Sequence, residues 1–183
     1  TYRETKLVQP LFDAFTKDTG IKVNVISASS GLEQRMKAEG ANSPADVLLT
    51  VDLGRLDDAV QAGVTQPIKS VVIDETVPAQ YRDPDGQWAG ISMRARVIYA
   101  SKDRVKQDKI TYEELADPKW KGKICIRSGQ HVYNVALIAS LIAAHGEAWT
   151  ETWLRGVKAN LARKPAGDDR LQVKGVYAGE CDI

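Results

Sequence analysis

The stretch FTKDTGIKVNVI, residues 15–26, ends one predicted helix and begins one predicted strand. Residues 8–19 place apolar side chains at helical spacing, and Gly20 can end that helix in the left-handed conformation. Residues 21–26 alternate apolar and polar side chains, which is the period of a β-strand. This direct passage from helix to strand favours an α/β fold.

The alternation of helix and strand continues on the C-terminal side of this stretch. Residues 32–39 suit a helix that Ser29 or Ser30 could cap, and residues 46–51, DVLLTV, form a short apolar run typical of a buried parallel strand. Residues 53–62 suit a further helix, and a glycine follows each of these two helices. The first third of the chain therefore predicts a sheet covered by helices.

A second α/β unit is predicted after an irregular region. Residues 67–90 are rich in proline and turn sequences, and residues 91–101 form one long extended run. A seam near this run predicts two domains, residues 1–95 and 96–183. In the second domain, strands are predicted at 123–126 and from 181 onward, and helices at 111–115, 134–144, 147–160 and 171–177.

Composition argues against several classes of protein. The formal net charge is +1, from 25 Lys and Arg against 24 Asp and Glu, so no basic surface for nucleic acid can be inferred. The longest apolar stretch, residues 135–144, is interrupted by Ser140 and is too short to span a bilayer. No signal peptide is visible, so we expect a processed or trimmed chain. A helix follows Thr1 without a leading strand, and a predicted strand begins at Cys181 three residues before the end, so we expect that both ends are cut or that flanking residues are not included.

The two cysteines, Cys125 and Cys181, match neither a zinc pattern nor a CxxC redox motif. Both lie in predicted short strands of the second domain that could be neighbours in one sheet. In an oxidising compartment we expect them to form a disulfide, which would contribute about 2–4 kcal/mol to stability. Two buried free thiols are the alternative.

No motif of an enzyme active site is found. The chain has no G-x-S-x-G, H-E-x-x-H, Walker or dinucleotide-binding sequence. The absence of these motifs favours a binding protein over an enzyme. The four tryptophans are scattered rather than clustered as they would be for stacking on a sugar, which argues against a carbohydrate ligand.

Six segments in one order resemble the iron-binding class of extracellular solute-binding proteins, and together they cover nearly the whole chain. They are FTKDTGIKVNVI at 15–26, SPADVLLTVDLGRL at 43–56, SMRARVIYASKDRV at 92–105, YEELADPKWKGKICIRSGQHVYN at 112–134, LIASLIAAHGE at 137–147 and AGECDI at 178–183.

This resemblance implies a periplasmic-binding-protein fold of type II, in which two α/β lobes close on the ligand like a clamshell. It implies a first lobe at 1–95, incomplete in its C-terminal portion, and a second lobe at 96–183 whose last strand is cut at Ile183. It also implies a periplasmic protein, after removal of a signal peptide, that captures Fe(III) in the cleft between the lobes and delivers it to an inner-membrane ABC permease. Members of the family carry a pair of iron-binding tyrosines beyond the position of Ile183.

Ferric iron is a hard cation, so its preferred ligands are phenolate and carboxylate oxygens. The resemblance makes Tyr133 a metal ligand, because it matches the family's tyrosine after the loop at 127–130; the alternative is a tyrosine at a helix start with its hydroxyl in water. Glu4 occupies the place of a ligand histidine in some members, and its carboxylate could replace that ligand. The tyrosine that follows in some members is Thr5 here, and Glu4 could instead be a surface residue near a helix dipole.

Arg94 and Arg96 lie two residues apart in an extended run, so both are expected on one face of a strand. The resemblance implies that at least one of them lies near the iron or near an anion bound with it, such as carbonate. Solvated arginines at the edge of a sheet are the alternative. Tyr2, His131 and Asp52 are weaker candidates, and for Asp52 helix capping is the expected role.

Two other functions remain open at this level: a binding protein for an oxyanion or organic acid held by arginines, and an enzyme built on the same two-lobe fold. The resemblance also predicts that these 183 residues alone bind iron weakly or not at all, because the tyrosine pair would be missing. The first lobe would then expose an unpaired sheet edge and apolar faces.

Overall fold

The computed structural model describes residues 1–183, which divide into two compact units, Thr1–Met93 and Arg94–Ile183. We call them unit 1 and unit 2. The predicted division after residue 95 lies two residues beyond the observed one. The correspondence of these units to two lobes of a clamshell stays a prediction.

Unit 1 contains four α-helices, and their ends follow local sequence rules. Gly20 ends α1 with a φ of 73°, a left-handed conformation that costs glycine nothing. Helix α2 has the predicted bounds, but its N-cap is Gly31 rather than Ser29 or Ser30, and no side chain caps it. The helices are α1 Thr5–Thr19, α2 Leu32–Glu39, α3 Leu53–Gln61 and α4 Val71–Thr76, with 3-10 turns at Gly40–Asn42 and Ala79–Tyr81.

Helix α4 falls in the region predicted to be irregular, so that prediction is wrong for residues 71–76. The helix has only six residues, and prolines on both sides obscured it in the sequence. Its start is fixed by Ser70, whose hydroxyl accepts a hydrogen bond from the Ile73 amide at 3.4 Å.

Unit 2 contains three α-helices and two short 3-10 turns. The predicted helix at 111–115 is such a turn, displaced to Glu113–Ala116, and the other turn is Pro118–Trp120. None of the helices of the chain has the length and apolar character needed to cross a bilayer. The three helices are α5 Val132–His145, α6 Glu147–Ala159 and α7 Asp169–Ala178.

The predicted strands are extended segments that do not pair over enough residues to form regular β-ladders. Only two isolated bridges occur, an antiparallel one between Arg82 and Ala89 and a parallel one between Ile124 and Leu161. The prediction of regular strands at 21–26, 46–51, 91–101, 123–126 and 181–183 is therefore wrong in this respect. Alternating apolar residues specify an extended backbone, but a ladder also needs an aligned neighbour along its length.

Single backbone hydrogen bonds nevertheless hold four extended segments of unit 2 side by side. The Ser101 amide donates to the Asp182 carbonyl at 2.9 Å, and the Cys125 amide donates to the Ile183 carbonyl at 2.8 Å. The Ala162 amide donates to the Ile124 carbonyl at 2.8 Å. The segment ending at Ile183 thus lies between the segment at 101 and the segment around 124, and the segment around 124 is also bonded to the segment at 162.

The apolar core of unit 2 includes residues of these extended segments. Its buried members come from the 3-10 turns, the extended segments and the three helices. They form a larger cluster of Leu115, Trp120, Ile124, Leu141, Trp153, Val157 and Ile183 and a smaller one of Cys125, Val176 and Cys181.

Candidate functional site

Tyr133 is the second residue of α5, and the start of this helix is fixed by its neighbours. His131 is the N-cap, and its Nδ1 accepts a hydrogen bond from the Tyr133 amide at 3.2 Å. The buried Asn134 donates through Nδ2 to the carbonyls of Arg127 and Ser128, at 3.0 and 3.1 Å. The loop after the extended segment at 123–126 and the first turn of α5 are therefore held together.

The structure brings Arg94 and Arg96 against Tyr133. Their spacing in an extended segment predicts only that they share one face. Arg94 donates from Nη1 to the Tyr133 hydroxyl at 3.0 Å. The guanidinium carbon of Arg96 lies 4.5 Å from the centroid of the Tyr133 ring, within the range of a cation–π contact. Their role toward iron or an anion stays a prediction.

Two further residues complete this cluster, and sequence reasoning missed both. The guanidinium carbon of Arg127 lies 5.3 Å from the Tyr133 ring centroid. Asp169, the first residue of α7, accepts from Arg127 Nη1 at 2.9 Å and from Arg96 at 3.4 and 3.5 Å. Two sequence features could have indicated these residues: Arg127 directly follows a predicted strand, and Asp169 belongs to an acidic pair at the start of α7.

The charges of the cluster set the ionisation of Asp169. Partial burial opposes its charge, but the hydrogen bonds and positive charges of Arg127 and Arg96 outweigh burial and hold the pKa of its carboxyl below the usual value. Asp169 is therefore ionised at neutral pH. Three guanidinium groups face Tyr133 and one carboxylate offsets them, so the surroundings of the phenol carry a positive surplus.

This surplus bears on what the cluster can do chemically. Arginine side chains close to a metal can offset the negative charge that hard phenolate and carboxylate ligands bring. The same guanidinium groups can donate paired hydrogen bonds to carboxylate or phosphate oxygens. The cluster can therefore hold a ferric phenolate, an oxyanion, or both.

The two candidates of unit 1 have different surroundings. Glu4 is exposed at the N-cap of α1, where its carbonyl accepts from the Leu7 amide at 2.9 Å. No side-chain capping bond forms, and a metal-binding role of Glu4 stays a prediction.

Tyr2, by contrast, is engaged within unit 1. Its hydroxyl donates to the buried Glu33 carboxylate and accepts from the Leu32 amide at 2.7 Å, and the Arg55 guanidinium lies 4.0 Å from its ring centroid. Burial, together with the hydrogen bond to Glu33, raises the pKa of the Tyr2 phenol. The Tyr2 hydroxyl is thus already engaged by two partners within unit 1, and its role as a ligand stays a prediction.

Cys125 and Cys181 form a disulfide bond in the structure. Their Cα atoms are 5.8 Å apart, within the range that an unstrained bridge requires. The bridge joins two neighbouring extended segments of unit 2 and is covered by α7, in which Gly175 and Val176 are buried. The alternative of two free thiols does not occur.

The remaining minor candidates have local structural contacts. Asp52 caps α3, because its carboxylate accepts from the Gly54 amide at 2.9 Å, which confirms the expected capping role. His145 lies at the end of α5, with its Nε2 3.1 Å from a carboxylate oxygen of Glu113.

Comparison with known proteins places these features in a family. The sequence profile of the bacterial extracellular solute-binding proteins matches residues 42–174. The chain belongs to this family. Iron uptake protein A1 of Synechocystis sp. is 51% identical over 94% of the chain, and the major ferric iron-binding protein of Neisseria gonorrhoeae is 32% identical over 95%. The chain spans about half the length of these curated relatives, 49% and 53% respectively.

Solved structures of the same class are also similar to the chain. The apo ferric ion-binding protein A of Pasteurella haemolytica matches 99% of it with a TM-score of 0.94 and 52% identity, over 57% of its own chain. The Trichodesmium protein solved with iron and citrate matches 100% of it with a TM-score of 0.89 and 50% identity, over 58% of its own chain. The predicted type II periplasmic-binding-protein fold class is thereby confirmed.

Proposed function

We propose that this chain is part of the substrate-binding component of an iron ABC transporter and that Tyr133 supplies a phenolate ligand to Fe(III). The observation that carries the proposal is the placement of the Tyr133 hydroxyl 3.0 Å from Arg94 Nη1, with two further guanidinium groups at its ring. Support also comes from relatives about half identical in sequence that are named for iron uptake and ferric iron binding.

The arginines can compensate for the negative charge of a ferric site that contains a tyrosine ligand. A free tyrosine releases its proton only near pH 10, so at neutral pH the bound Fe(III) has to displace the proton of a tyrosine ligand. The guanidinium groups offset the negative charge that anionic ligands bring. Glu4 is proposed as a carboxylate ligand of Fe(III), since a carboxylate oxygen is also hard.

The proposal extends to the anion, the partner and the location. Arg94 and Arg96 would hold an anion such as carbonate close to the iron, because guanidinium groups bind planar oxyanions through paired donors. In the periplasm, the iron-loaded protein would pass Fe(III) to an ABC permease of the inner membrane. The chain would act by binding and release, without catalysing a reaction.

A titration with a weak ferric chelate tests the proposal in the full-length protein. A tyrosinate bound to ferric iron absorbs visible light, so the wild type should become coloured as it takes up iron. Tyr133→Phe should lose part of this band and bind iron at least about tenfold more weakly, because one anionic ligand is removed.

Tyr177→Phe is the matched control, since Tyr177 also lies in unit 2 but its side chain is 92% exposed. This variant should keep the absorbance and the affinity of the wild type. Unchanged colour and affinity in Tyr133→Phe would show that Tyr133 is not a ligand. Equal losses in both variants would point to a general structural effect instead.

A second function, binding of an oxyanion or organic acid alone, is favoured by the three arginines around one phenol. It predicts tight binding of citrate or phosphate by the iron-free protein and no visible band on addition of ferric chelate. Calorimetry with these anions, combined with the same ferric titration, separates the two functions.

A further inference from the structure

Asp169 occupies two of the three guanidinium groups that surround Tyr133. One of its oxygens accepts from Arg127 Nη1 at 2.9 Å, and its two oxygens face the two Nη atoms of Arg96 at 3.4 and 3.5 Å. Arg94 instead donates to the phenol oxygen. The donors that an external oxyanion would use are therefore already shared with a carboxylate of the chain itself.

The position of Asp169 is fixed by the structure around α7. Asp168 caps this helix by accepting from the Leu171 amide at 2.9 Å, so Asp169 stands at its first turn. Further along, Gly175 lies against the disulfide, where an added Cβ would be 3.3 Å from Cys125 Sγ and 3.4 Å from Cys181 Sγ. A side chain at this position would be tightly packed, and its neighbours would have to move by a few tenths of an ångström.

The same disulfide anchors the other side of the ion pair. Cys125 is two residues before Arg127 in the chain, and its side chain is bonded beneath α7. The Arg127 side chain is only 13% exposed, whereas the Asp169 side chain is 50% exposed and open to an external anion. Asp169 and Arg127 are thus brought together by α7 and by the segment after Cys125, which both lie at the disulfide.

We propose that Asp169 limits the anion affinity of the site: it is an internal counter-anion that occupies Arg96 and Arg127, and an external oxyanion must compete with it. An anion with several carboxylates, such as citrate, can engage more than one guanidinium group, and at Arg96 and Arg127 it would displace the Asp169 carboxylate. For the iron-bound state this inference rests on the proposed function, but competition for the arginines exists without iron.

The alternative role for Asp169 is purely structural. If the carboxylate only held Arg96 and Arg127 in place, its removal would let both side chains spread into solvent, and anions would bind more weakly. Competition predicts the opposite sign, because removal of the carboxylate frees charged donors that are otherwise engaged. The direction of the change therefore distinguishes the two roles.

Calorimetric titration of the iron-free full-length protein with citrate, and separately with inorganic phosphate, provides the test. The variants are Asp169→Asn and the control Asp168→Asn, which removes the same charge one residue away and leaves a residue that caps helices equally well. We expect citrate to bind at least about tenfold more tightly to Asp169→Asn than to the wild type. Asp168→Asn should change the affinity by less than about twofold, the effect of a screened charge.

Weaker citrate binding by Asp169→Asn, or an equal gain in both variants, would overturn the proposal. Asp169→Ser, which also removes the carboxylate and suits a helix start, replaces the Asn variant if its melting temperature shows incomplete folding. A ferric titration of the same proteins separates the two hypotheses. A wild type that stays colourless contradicts the proposed iron binding, while the iron-free titration still decides the role of Asp169.

Discussion

The two units have similar alternations of apolar and polar residues but bury them very differently. In unit 1 the buried apolar residues are Leu32 and Ala59, whereas unit 2 buries ten, including Trp120, Leu141 and Trp153. The helices of unit 1 expose large apolar side chains, such as Leu7 at 65% and Leu11 at 59%. An apolar stripe on a helix stabilises a fold only where a second layer covers it, so pattern alone does not give stability.

The largest effect expected from this difference comes from one substitution made in both units. Leu141→Ala in α5 should lower the free energy of unfolding of unit 2 by about 2–5 kcal/mol, because the side chain is 6% exposed in the core. Leu7→Ala in α1 should stay within about 0.5 kcal/mol, because its side chain is mostly in solvent.

Hydrogen exchange resolved by residue measures each unit separately in the same sample. Similar losses of protection from Leu141→Ala and Leu7→Ala would mean that the side chain of Leu7 is covered in solution. The difference in apolar burial between the two units would then not hold for α1.

The disulfide should produce a somewhat smaller effect that is confined to unit 2. Replacing both Cys125 and Cys181 by serine removes a cross-link between residues 56 apart and should cost about 2–4 kcal/mol. Protection of α7 should fall first, because Gly175 and Val176 pack against the bridge. A loss of protection spread equally over unit 1 would contradict the assignment of the bridge to a local role.

Acid should lower the stability of unit 2 through Asp169, and alkali should lower the stability of unit 1 through Tyr2. Each effect should be about 1 kcal/mol or less, because both side chains are partly exposed. The pKa of Asp169 is lowered from 3.8, so its contribution to unit 2 is present above that value and is lost as the pH falls through the folded pKa. The pKa of Tyr2 is raised from 10.0, so its contribution to unit 1 is present below that value and is lost as the pH rises through the folded pKa.

Asp169→Asn should therefore flatten the acid limb of the stability curve of unit 2, and Tyr2→Phe should flatten the alkaline limb of unit 1. Exchange of amides in each unit, compared at equal intrinsic rates across the pH range, measures both effects. If unit 2 loses as much stability at low pH in Asp169→Asn as in the wild type, carboxylates other than Asp169 cause that loss.

Much of the helical structure could be predicted from local sequence. Helix α2 has the predicted bounds, and α3 ends within one residue of its prediction, because turn hydrogen bonds and glycine stops involve near neighbours. The prediction of regular strands was wrong because the formation of a β-ladder depends on a partner elsewhere in the chain. Helix α4 was missed because six residues give too little periodicity.

The candidate site was predictable only in part. The sequence by itself determined Tyr133 at a helix start, the common side of Arg94 and Arg96, and the resemblance to iron-binding proteins, since these depend on neighbours or on a recognisable order of segments. Only the tertiary structure decided that Arg127 and Asp169 join them. Asp169 is 42 residues from Arg127 and 73 from Arg96, and no local rule brings such residues together. Their meeting depends on the path of α7 over the disulfide, which results from packing rather than from periodicity.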